Sequence, residues 1–208
     1  MKKLNTIFIL VMLGGLSACA SMSKNECLNA NWKTIGYEDG SLGRAETMIQ
    51  SHRKACAKVN VSPDLNQYLS GHREGVRVYC KKSTGYQLGV SGGAYANICP
   101  ADLEPLFLKA YRIGQELFSI RQEISRIESA VTGYRNSIAD LEKQKQDAKQ
   151  LIVESSSAKE KRLQLKEIDR IDNEIRYYER DIADAQHQLD HLHRDYSATE
   201  AEHRQMGY

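Results

Sequence analysis

Residues 113–141 read IGQELFSIRQEISRIESAVTGYRNSIADL, with apolar residues spaced alternately three and four apart. Such heptad spacing, flanked by charged residues, is typical of a coiled-coil helix. The spacing reaches back to Leu106 and forward to Ile152, and after three serines it restarts and runs from Ile168 to Tyr196. Two such helices joined by a short turn predict an antiparallel helical hairpin over residues 102–208.

The hairpin register follows from the position of the serine turn. Ser157 and Glu160 form a capping box that starts the second helix. Counting outward from the turn places Leu117 opposite Tyr196, so the C-terminus returns to the base of the hairpin. At about 1.5 Å per residue the first helix is roughly 75–80 Å long. Lys145 occupies a core-type position near the turn, and we expect a weak seam there.

Cysteine usage indicates an exported, disulfide-bonded domain. Apart from Cys19, the chain has four cysteines, and an even number in an exported chain favours two disulfides. A four-cysteine zinc site is the alternative, but the chain has no C-x-x-C pair and the spacings do not resemble a zinc ribbon. The four residues are Cys27, Cys56, Cys80 and Cys99.

Residues 27–101 form a small domain rich in cysteine, glycine and aromatic residues. Apolar periodicity predicts one helix over about 43–59 and a second from Ser62, as N-cap, to about Cys80. Residues 83–97 are rich in Gly, Ser and Tyr, which predicts irregular structure, with a short β-hairpin as the alternative. The overall fold class is therefore mainly α, a small disulfide-bonded helical domain followed by the long hairpin.

Helix length restricts the disulfide pairing. If the two predicted helices are antiparallel, Cys56 and Cys80 lie at opposite ends, roughly 20 Å apart. A disulfide needs Cα atoms within about 7 Å, so we exclude Cys56–Cys80. We favour Cys27–Cys56 together with Cys80–Cys99, because the second bridge closes a short loop.

An aromatic residue followed three positions later by glycine recurs through the small domain and into the start of the hairpin, at Tyr37, Tyr68, Tyr86 and Tyr111. Glycine inside a helix costs up to about 1 kcal/mol against alanine, so these glycines need a compensating role. Close packing of helix backbones is the favoured interpretation. The alternative is a ligand groove with a glycine floor and aromatic walls, formed by Trp32, Gly36, Gly40, Tyr68, Gly71 and Gly75.

The small domain resembles a known family. The residues that carry the resemblance, at fixed spacing, are Trp32, Gly36, Tyr37, Asp39, Gly40, Gly43, His52, Cys56, Pro63, Asp64, Tyr68, Gly71, Gly75, Tyr79, Cys80, Gly85, Tyr86, Gly89, Tyr95, Cys99, Pro100, Phe107, Tyr111 and Gly114. Over about residues 27–118 this pattern resembles the bacterial domain-of-unknown-function family 2799, whose members are mostly assigned as lipoproteins. The resemblance implies a location and an architecture but no reaction.

The N-terminus predicts a lipid anchor. Residues 1–18 have the layout of a secretory signal peptide, with two lysines, an apolar run too short to span a membrane, and small residues before Cys19. Leu16-Ser17-Ala18-Cys19 resembles the lipobox of bacterial lipoproteins, which implies cleavage before Cys19 and diacylation of its thiol. Ala20 is not the aspartate that retains Gram-negative lipoproteins in the inner membrane, so the resemblance implies the outer membrane. An ordinary cleaved signal is the alternative, and residues 19–26 are expected to form a polar tether.

Few residues suggest chemistry. His187 and His191 lie four apart on the second hairpin helix and are weak candidates for a metal site, but solvated histidines are the favoured interpretation. His52 near Cys56 suggests a Cys–His nucleophile, although an exported cysteine in an even set favours a bridge. No phosphate-binding glycine motif occurs, and we expect no cofactor and no catalytic residue.

The expected function is interaction rather than catalysis. The full chain has a formal charge of +2, which does not suggest a nucleic-acid partner. We expect a periplasm-facing lipoprotein whose hairpin reaches an envelope protein or associates with itself, as an adaptor or scaffold. A ligand- or metal-binding lipoprotein is the alternative function, and a spacer is the alternative role for the hairpin.

Overall fold

The computed structural model describes residues 22–208, in which the chain forms α-helices and short 3-10 turns and no β-strand. The predicted signal peptide and Cys19 lie outside these residues. The predicted tether is wrong at its end, because α1 (Lys24–Leu28) begins within it, where Ser23 and Glu26 form a capping box. No helix within 22–208 has the length and apolarity needed to cross a membrane. The predicted mainly helical fold class is confirmed.

The described chain divides into two compact units. Residues 22–81 and 95–104 belong to the first unit, and residues 82–94 and 105–208 belong to the second. The first unit contains α1, α2 (Trp32–Ser41), α3 (Ile49–Cys56) and α4 (Leu65–Tyr79). Short 3-10 turns flank α3 on both sides. The stretch 82–94 thus belongs with the hairpin, although the sequence analysis assigns it to the small domain.

The first unit is built on a parallel crossing of α2 and α4. Gly36 lies against Tyr68 and Gly40 lies against His72, so residue numbers rise in the same direction along both helices. A small apolar core packs beside this crossing, formed by Cys27, Trp32, Ile49, Cys56 and Tyr68. The antiparallel pairing of two helices over 43–59 and 62–80 that the sequence suggested is therefore not the central pairing of this unit.

Both disulfides lie in the first unit and have the predicted pairing. Cys27 bonds to Cys56 and Cys80 bonds to Cys99, with Cα separations of 5.4 and 5.6 Å. The first bridge ties α1 to α3. The second joins the two chain segments that flank residues 82–94. The four cysteines therefore do not form the alternative zinc site, and Cys56 has no free thiol to act as a nucleophile.

Three helix predictions for the small domain need correction. The predicted helix over 43–59 is a shorter α3 between 3-10 turns. The second helix begins two residues later than predicted, with Asp64 as its N-cap and its side chain accepting from the Gln67 N–H. The irregular structure predicted for 83–97 is wrong over most of its length, because α5 spans Lys82–Ser91.

The second unit contains the predicted hairpin. Its two long helices are α6 (Glu104–Glu154) and α7 (Ala158–Gln205), joined by the serine turn. Ser157 is the N-cap of α7 and accepts from the Glu160 N–H at 3.4 Å. The Glu160 carboxylate accepts from the Ser155 hydroxyl instead of closing the capping box on the Ser157 backbone. The Ser155 hydroxyl thus takes the place of the Ser157 backbone N–H as the donor to Glu160.

Apolar side chains fill the hairpin seam in the predicted register. Leu117 and Tyr196 belong to one cluster at the base, and Leu141 and Ile171 belong to another nearer the turn. A third cluster lies between them, formed by Ile127, Val131, Ile182, Ala185, Leu189 and Leu192. Near the turn the seam is polar, because Lys145 pairs with Asp172 at 2.6 Å, and this contact raises the pKa of the lysine.

The C-terminus returns to the base of the hairpin and packs on α5. His203 is 1% exposed and lies 3.3 Å from both the Tyr86 hydroxyl and the Glu116 carboxylate. Tyr208 stacks on Tyr86 with ring centroids 5.1 Å apart, and the Lys82 ammonium lies 3.9 Å from the centre of the Tyr208 ring. Aromatic and charge contacts thus hold the C-terminal residues against α5, the first helix of the second unit.

Candidate functional site

Four of the predicted groove residues are glycines at the crossing of α2 and α4. A β-carbon on Gly36 would lie 2.0 Å from the Tyr68 carbonyl oxygen, and one on Gly71 would lie 1.8 Å from the Lys33 carbonyl oxygen. Gly40 and Gly75 meet backbone of the opposite helix equally closely. The space beside these glycines is therefore filled by helix backbone, which is the packing role favoured from the sequence. Ligand binding at Trp32 and Tyr68 stays a prediction.

The second unit repeats this crossing with α5 and α6. A β-carbon on Gly89 would lie 2.1 Å from the Tyr111 carbonyl oxygen, and one on Gly114 would lie 2.3 Å from the Tyr86 carbonyl oxygen. Each crossing ends at a glycine with positive φ that faces an aromatic ring. These are Gly43 against Tyr79 in the first unit and Gly92 against Phe118 in the second.

The two crossings have matching sequences. Residues 36–43 read GYEDGSLG and residues 85–92 read GYQLGVSG, so all three glycines and the tyrosine recur at the same spacing. The partner helices match as well, since Tyr68 and Gly75 occupy the places of Phe107 and Gly114. The chain thus contains two versions of one helix pair. Residues that differ between the two versions are not required for the helix crossing itself.

The first crossing encloses a buried polar network centred on Asp39. The Asp39 carboxylate is 2% exposed and accepts from His52 at 2.7 Å, from the Tyr68 hydroxyl at 2.8 Å and from Arg44 at 2.9 Å. Burial acts to raise the pKa of Asp39, but these three hydrogen bonds outweigh it and leave the pKa below its usual value. Burial and the neighbouring carboxylate raise the pKa of Tyr68.

Two histidines complete the network. Nε2 of His72 lies 2.7 Å from the Arg44 carbonyl oxygen, and it therefore donates its proton there. Nε2 of His52 donates to Asp39, while its Nδ1 is buried and has no hydrogen-bond partner within the described residues. An oriented Asp–His pair can accept a proton, but the one thiol that the sequence placed near it, Cys56, is bonded to Cys27.

Comparison with the second crossing indicates that the Asp39 network holds neighbouring segments in place and is not needed for the crossing itself. Leu88 stands where Asp39 stands in the first crossing, and Phe107 stands where Tyr68 stands, so an apolar version of the same crossing forms without the network. The first crossing differs in carrying α3, on which His52 lies, whereas residues 92–103 of the second version form no α-helix. Asp39 thus fixes α3 and the Arg44 loop to the helix pair.

Most of both crossings lies within one family-model match. Residues 31–116 match the family model described as "Protein of unknown function (DUF2799)". This region, less than half of the chain, is similar to that family. The match confirms the resemblance drawn from the sequence, and it ends within α6, so most of the hairpin lies beyond it. Neither the curated proteins nor the solved structures searched gave a match to the chain.

The candidate metal ligands lie on the hairpin, outside the DUF2799 region. His187, His191 and His193 are all exposed, and Nδ1 of His191 lies 2.7 Å from the Asp195 carboxylate on the same helix. Across residues 22–208, His, Cys, Asp and Glu side chains do not gather in threes in a way that could hold a metal ion. The histidines therefore occupy the solvated face that the sequence analysis favoured.

The end of the hairpin, also outside the DUF2799 region, exposes apolar side chains. Val153 is 83% exposed, and Leu151 beside it is 49% exposed. On the other side of the serine turn, Leu163 and Leu165 are 55% and 52% exposed. The serine turn itself is small and polar, and the apolar side chains lie on the outer faces of the flanking helices. The heptad pattern does contain the signal, since these four residues fall off the seam positions.

Proposed function

We propose that this protein is a lipoprotein of the bacterial outer membrane, anchored through Cys19 and facing the periplasm, that acts as an adaptor or scaffold and not as an enzyme. The lipobox-like Leu16-Ser17-Ala18-Cys19 and the absence of aspartate at Ala20 support the address. Two disulfides within the described residues suit an oxidising compartment such as the periplasm. The interaction surface in this proposal is the hairpin of α6 and α7.

One observation carries the interaction role: the hairpin buries its own seam and yet exposes apolar side chains at its far end. Ile171 and Leu117 are at most 2% exposed, so the two helices need no further partner for their seam. Leu151, Val153 and Leu163 lie off the seam and keep about half or more of each side chain exposed. Several exposed apolar side chains gathered at one end of the hairpin support an interaction site there.

A shortened hairpin tests whether the hairpin of α6 and α7 acts as an arm that binds a partner. Deleting residues 128–141 together with 172–185 removes two heptads from each helix, keeps facing positions in register and shortens the arm by about 21 Å. We expect this short-arm variant to be exported and folded, with both disulfides formed, but to lose the envelope partners that cross-link to and co-purify with the full-length protein. Unchanged partners and an unchanged cell-envelope phenotype would contradict the proposal that the hairpin is a partner-binding arm.

Two substitutions test the address separately. Cys19→Ser should abolish fatty-acid labelling and release the protein from membranes washed at about 0.5 M salt, because the acylated cysteine is the proposed stable anchor. Ala20→Asp should leave labelling intact and move the protein to the inner-membrane fraction of a density gradient. Labelling that survives Cys19→Ser would refute the lipoprotein assignment, and an Ala20→Asp protein that stays in the outer-membrane fraction would refute the sorting argument.

A further inference from the structure

Charge is distributed unevenly along the hairpin. We define the tip segment as residues 143–166, which carry seven Lys or Arg and three Asp or Glu. The rest of the hairpin, residues 102–142 and 167–208, carries ten Lys or Arg and eighteen Asp or Glu. The net charge is therefore +4 at the tip segment and −8 over the remainder. A cationic end on an acidic stalk is a charge pattern that the helix seam does not require.

The cations of the tip segment lie among its exposed apolar side chains. Lys149, Lys159 and Arg162 are exposed, as are Lys143 and Lys166. Lys145 and Lys161 are only half-exposed, and Lys145 points into the seam and pairs with Asp172. The exposed leucines and Val153 occur on both helices that flank the turn. The tip segment thus presents aliphatic groups and flexible cations together, on two sides of one end.

We propose that the tip segment binds the surface of an anionic lipid bilayer, an inference that rests on the proposed function because it names the partner of the arm. Lysine and arginine near such a surface are attracted to its lipid phosphates. Aliphatic side chains gain by entering the boundary between headgroups and acyl chains, and long cationic side chains can reach the phosphates from beside them.

Two features favour a lipid surface over an acidic protein. The exposed apolar groups are aliphatic and spread around the turn, which suits a fluid surface that conforms to them, whereas protein hot spots are enriched in Trp, Tyr and Arg in fixed pockets. The acidic stalk is the second feature. An anionic bilayer repels it over about one Debye length, so the hairpin meets the surface with its end and does not lie flat.

Vesicle binding by the non-lipidated protein tests the proposal. Oxidised protein comprising residues 22–208 contains both compact units and avoids any contribution from an anchor. We expect it to sediment with vesicles of phosphatidylcholine containing one third phosphatidylglycerol, and not with phosphatidylcholine alone. Binding should weaken strongly at about 0.5 M salt, because exposed charges are then screened. Equal binding to both vesicles, or none to the anionic ones, would overturn the proposal.

Matched variants locate the binding surface. Lys159→Glu with Arg162→Glu should weaken binding at least about 25-fold, since each cation contributes about five-fold. Arg135→Glu with Arg194→Glu makes the same change in net charge on the exposed stalk, and we expect a much smaller effect. Val153→Ser with Leu163→Ser should also weaken binding, in contrast to Leu106→Ser, whose side chain is 64% exposed at the other end of α6. Equal losses in stalk and tip variants would overturn the assignment to the tip.

The short-arm variant separates this proposal from the arm itself. It retains the whole tip segment, and we expect it to bind anionic vesicles as the full-length protein does. Envelope partners that are lost from the short-arm variant, together with no vesicle binding by any form, would refute the lipid surface and leave the arm standing. Normal vesicle binding with unchanged envelope partners would refute the arm as a determinant of reach and support the lipid-binding tip.

Discussion

Asp39 is a buried acid whose charge is balanced by donors from three different chain segments. His52 reaches it from α3, Tyr68 from α4 and Arg44 from the loop after α2. An ionised carboxylate inside a protein is tolerated only where such partners are present, and removing one side of a buried pair costs several kcal/mol. The network therefore stabilises the position of α3 only as long as Asp39 stays charged.

Replacing Asp39 tests this at the residue scale. We expect Asp39→Ala to lower the free energy of unfolding by about 3 kcal/mol at neutral pH, because His52 and Tyr68 lose their acceptor. The pKa of Asp39 is lowered in the folded state, so its stabilisation is present above the ordinary value of 3.8 and is lost as pH falls through the lower folded value. Urea unfolding of both proteins should therefore differ less below about pH 4 than at pH 7.

The control for that experiment is the apolar second crossing. Leu88→Ala changes the matching position there, without a buried charge, and its effect should not vary over the same range of pH. A wild-type-to-Asp39→Ala difference that stays constant from pH 7 to below pH 4 would contradict a charged Asp39 in the folded protein.

Two glycines in helices make a second residue-scale test, because one is crowded and the other is not. A methyl group at Gly71 would lie 1.8 Å from a backbone oxygen of α2, whereas one at Gly133 would meet nothing within 4 Å. We expect Gly71→Ala to cost about 3 kcal/mol through overpacking and Gly133→Ala to gain about 0.5–1 kcal/mol through helix propensity. Chemical unfolding measures both. A Gly71→Ala protein as stable as wild type would mean that the crossing is looser than described.

At the scale of elements, periodicity predicted the hairpin but not α5. The hairpin has a heptad pattern that persists for many turns, and Leu117 and Tyr196 share a cluster as predicted. By contrast, α5 contains Gly85, Gly89 and several residues of low helix propensity. Its helix is stabilised by close backbone contact with α6, a tertiary effect that a local pattern does not carry. The sequence does not predict α2 for the same reason, because Gly36 and Gly40 lower its helix propensity.

The candidate site illustrates the same limit. His52 near Cys56 and the glycine pairs are recognisable in the sequence, and the predicted disulfide pairing is correct. The sequence does not indicate a place in the site for Asp39, because nothing local puts it beside His52, thirteen positions away. Only the crossing of α2 over α4 brings Asp39 to Tyr68. The exposed leucines at the tip, in contrast, could have been found from the heptad positions.

Matched substitutions in α7 test whether the hairpin closes on itself. Ile171 is fully buried in the seam, while Leu165, six residues nearer the tip and off the seam, is 52% exposed. We expect Ile171→Ala to cost about 2–5 kcal/mol and Leu165→Ala to change the free energy of unfolding by less than about 0.5 kcal/mol. Thermal unfolding followed by circular dichroism gives both values. Comparable costs, accompanied by concentration-dependent melting, would indicate instead that Leu165 is buried in a self-associated coiled coil.

At the scale of the whole molecule, the chain crosses between two compact units three times, after residues 81, 94 and 104. The sequence predicts a single boundary at residue 101, because cysteine content and heptad spacing change there. The two compact units are not continuous in sequence, because α5 pairs with α6, which follows it, and not with the helices that precede it. Both disulfides nevertheless belong to one unit, and this asymmetry has a measurable consequence.

Reduction of the protein should destabilise the two units unequally. The first unit has a small core in which Cys27 and Cys56 are themselves members, and each bridge typically contributes about 2–4 kcal/mol. The hairpin seam contains no cysteine and is held by apolar clusters along its length. We therefore expect dithiothreitol to raise amide hydrogen exchange first within residues 22–81, while residues 120–190 keep their protection. A uniform rise over both ranges would show that the hairpin depends on the bridged unit for its stability.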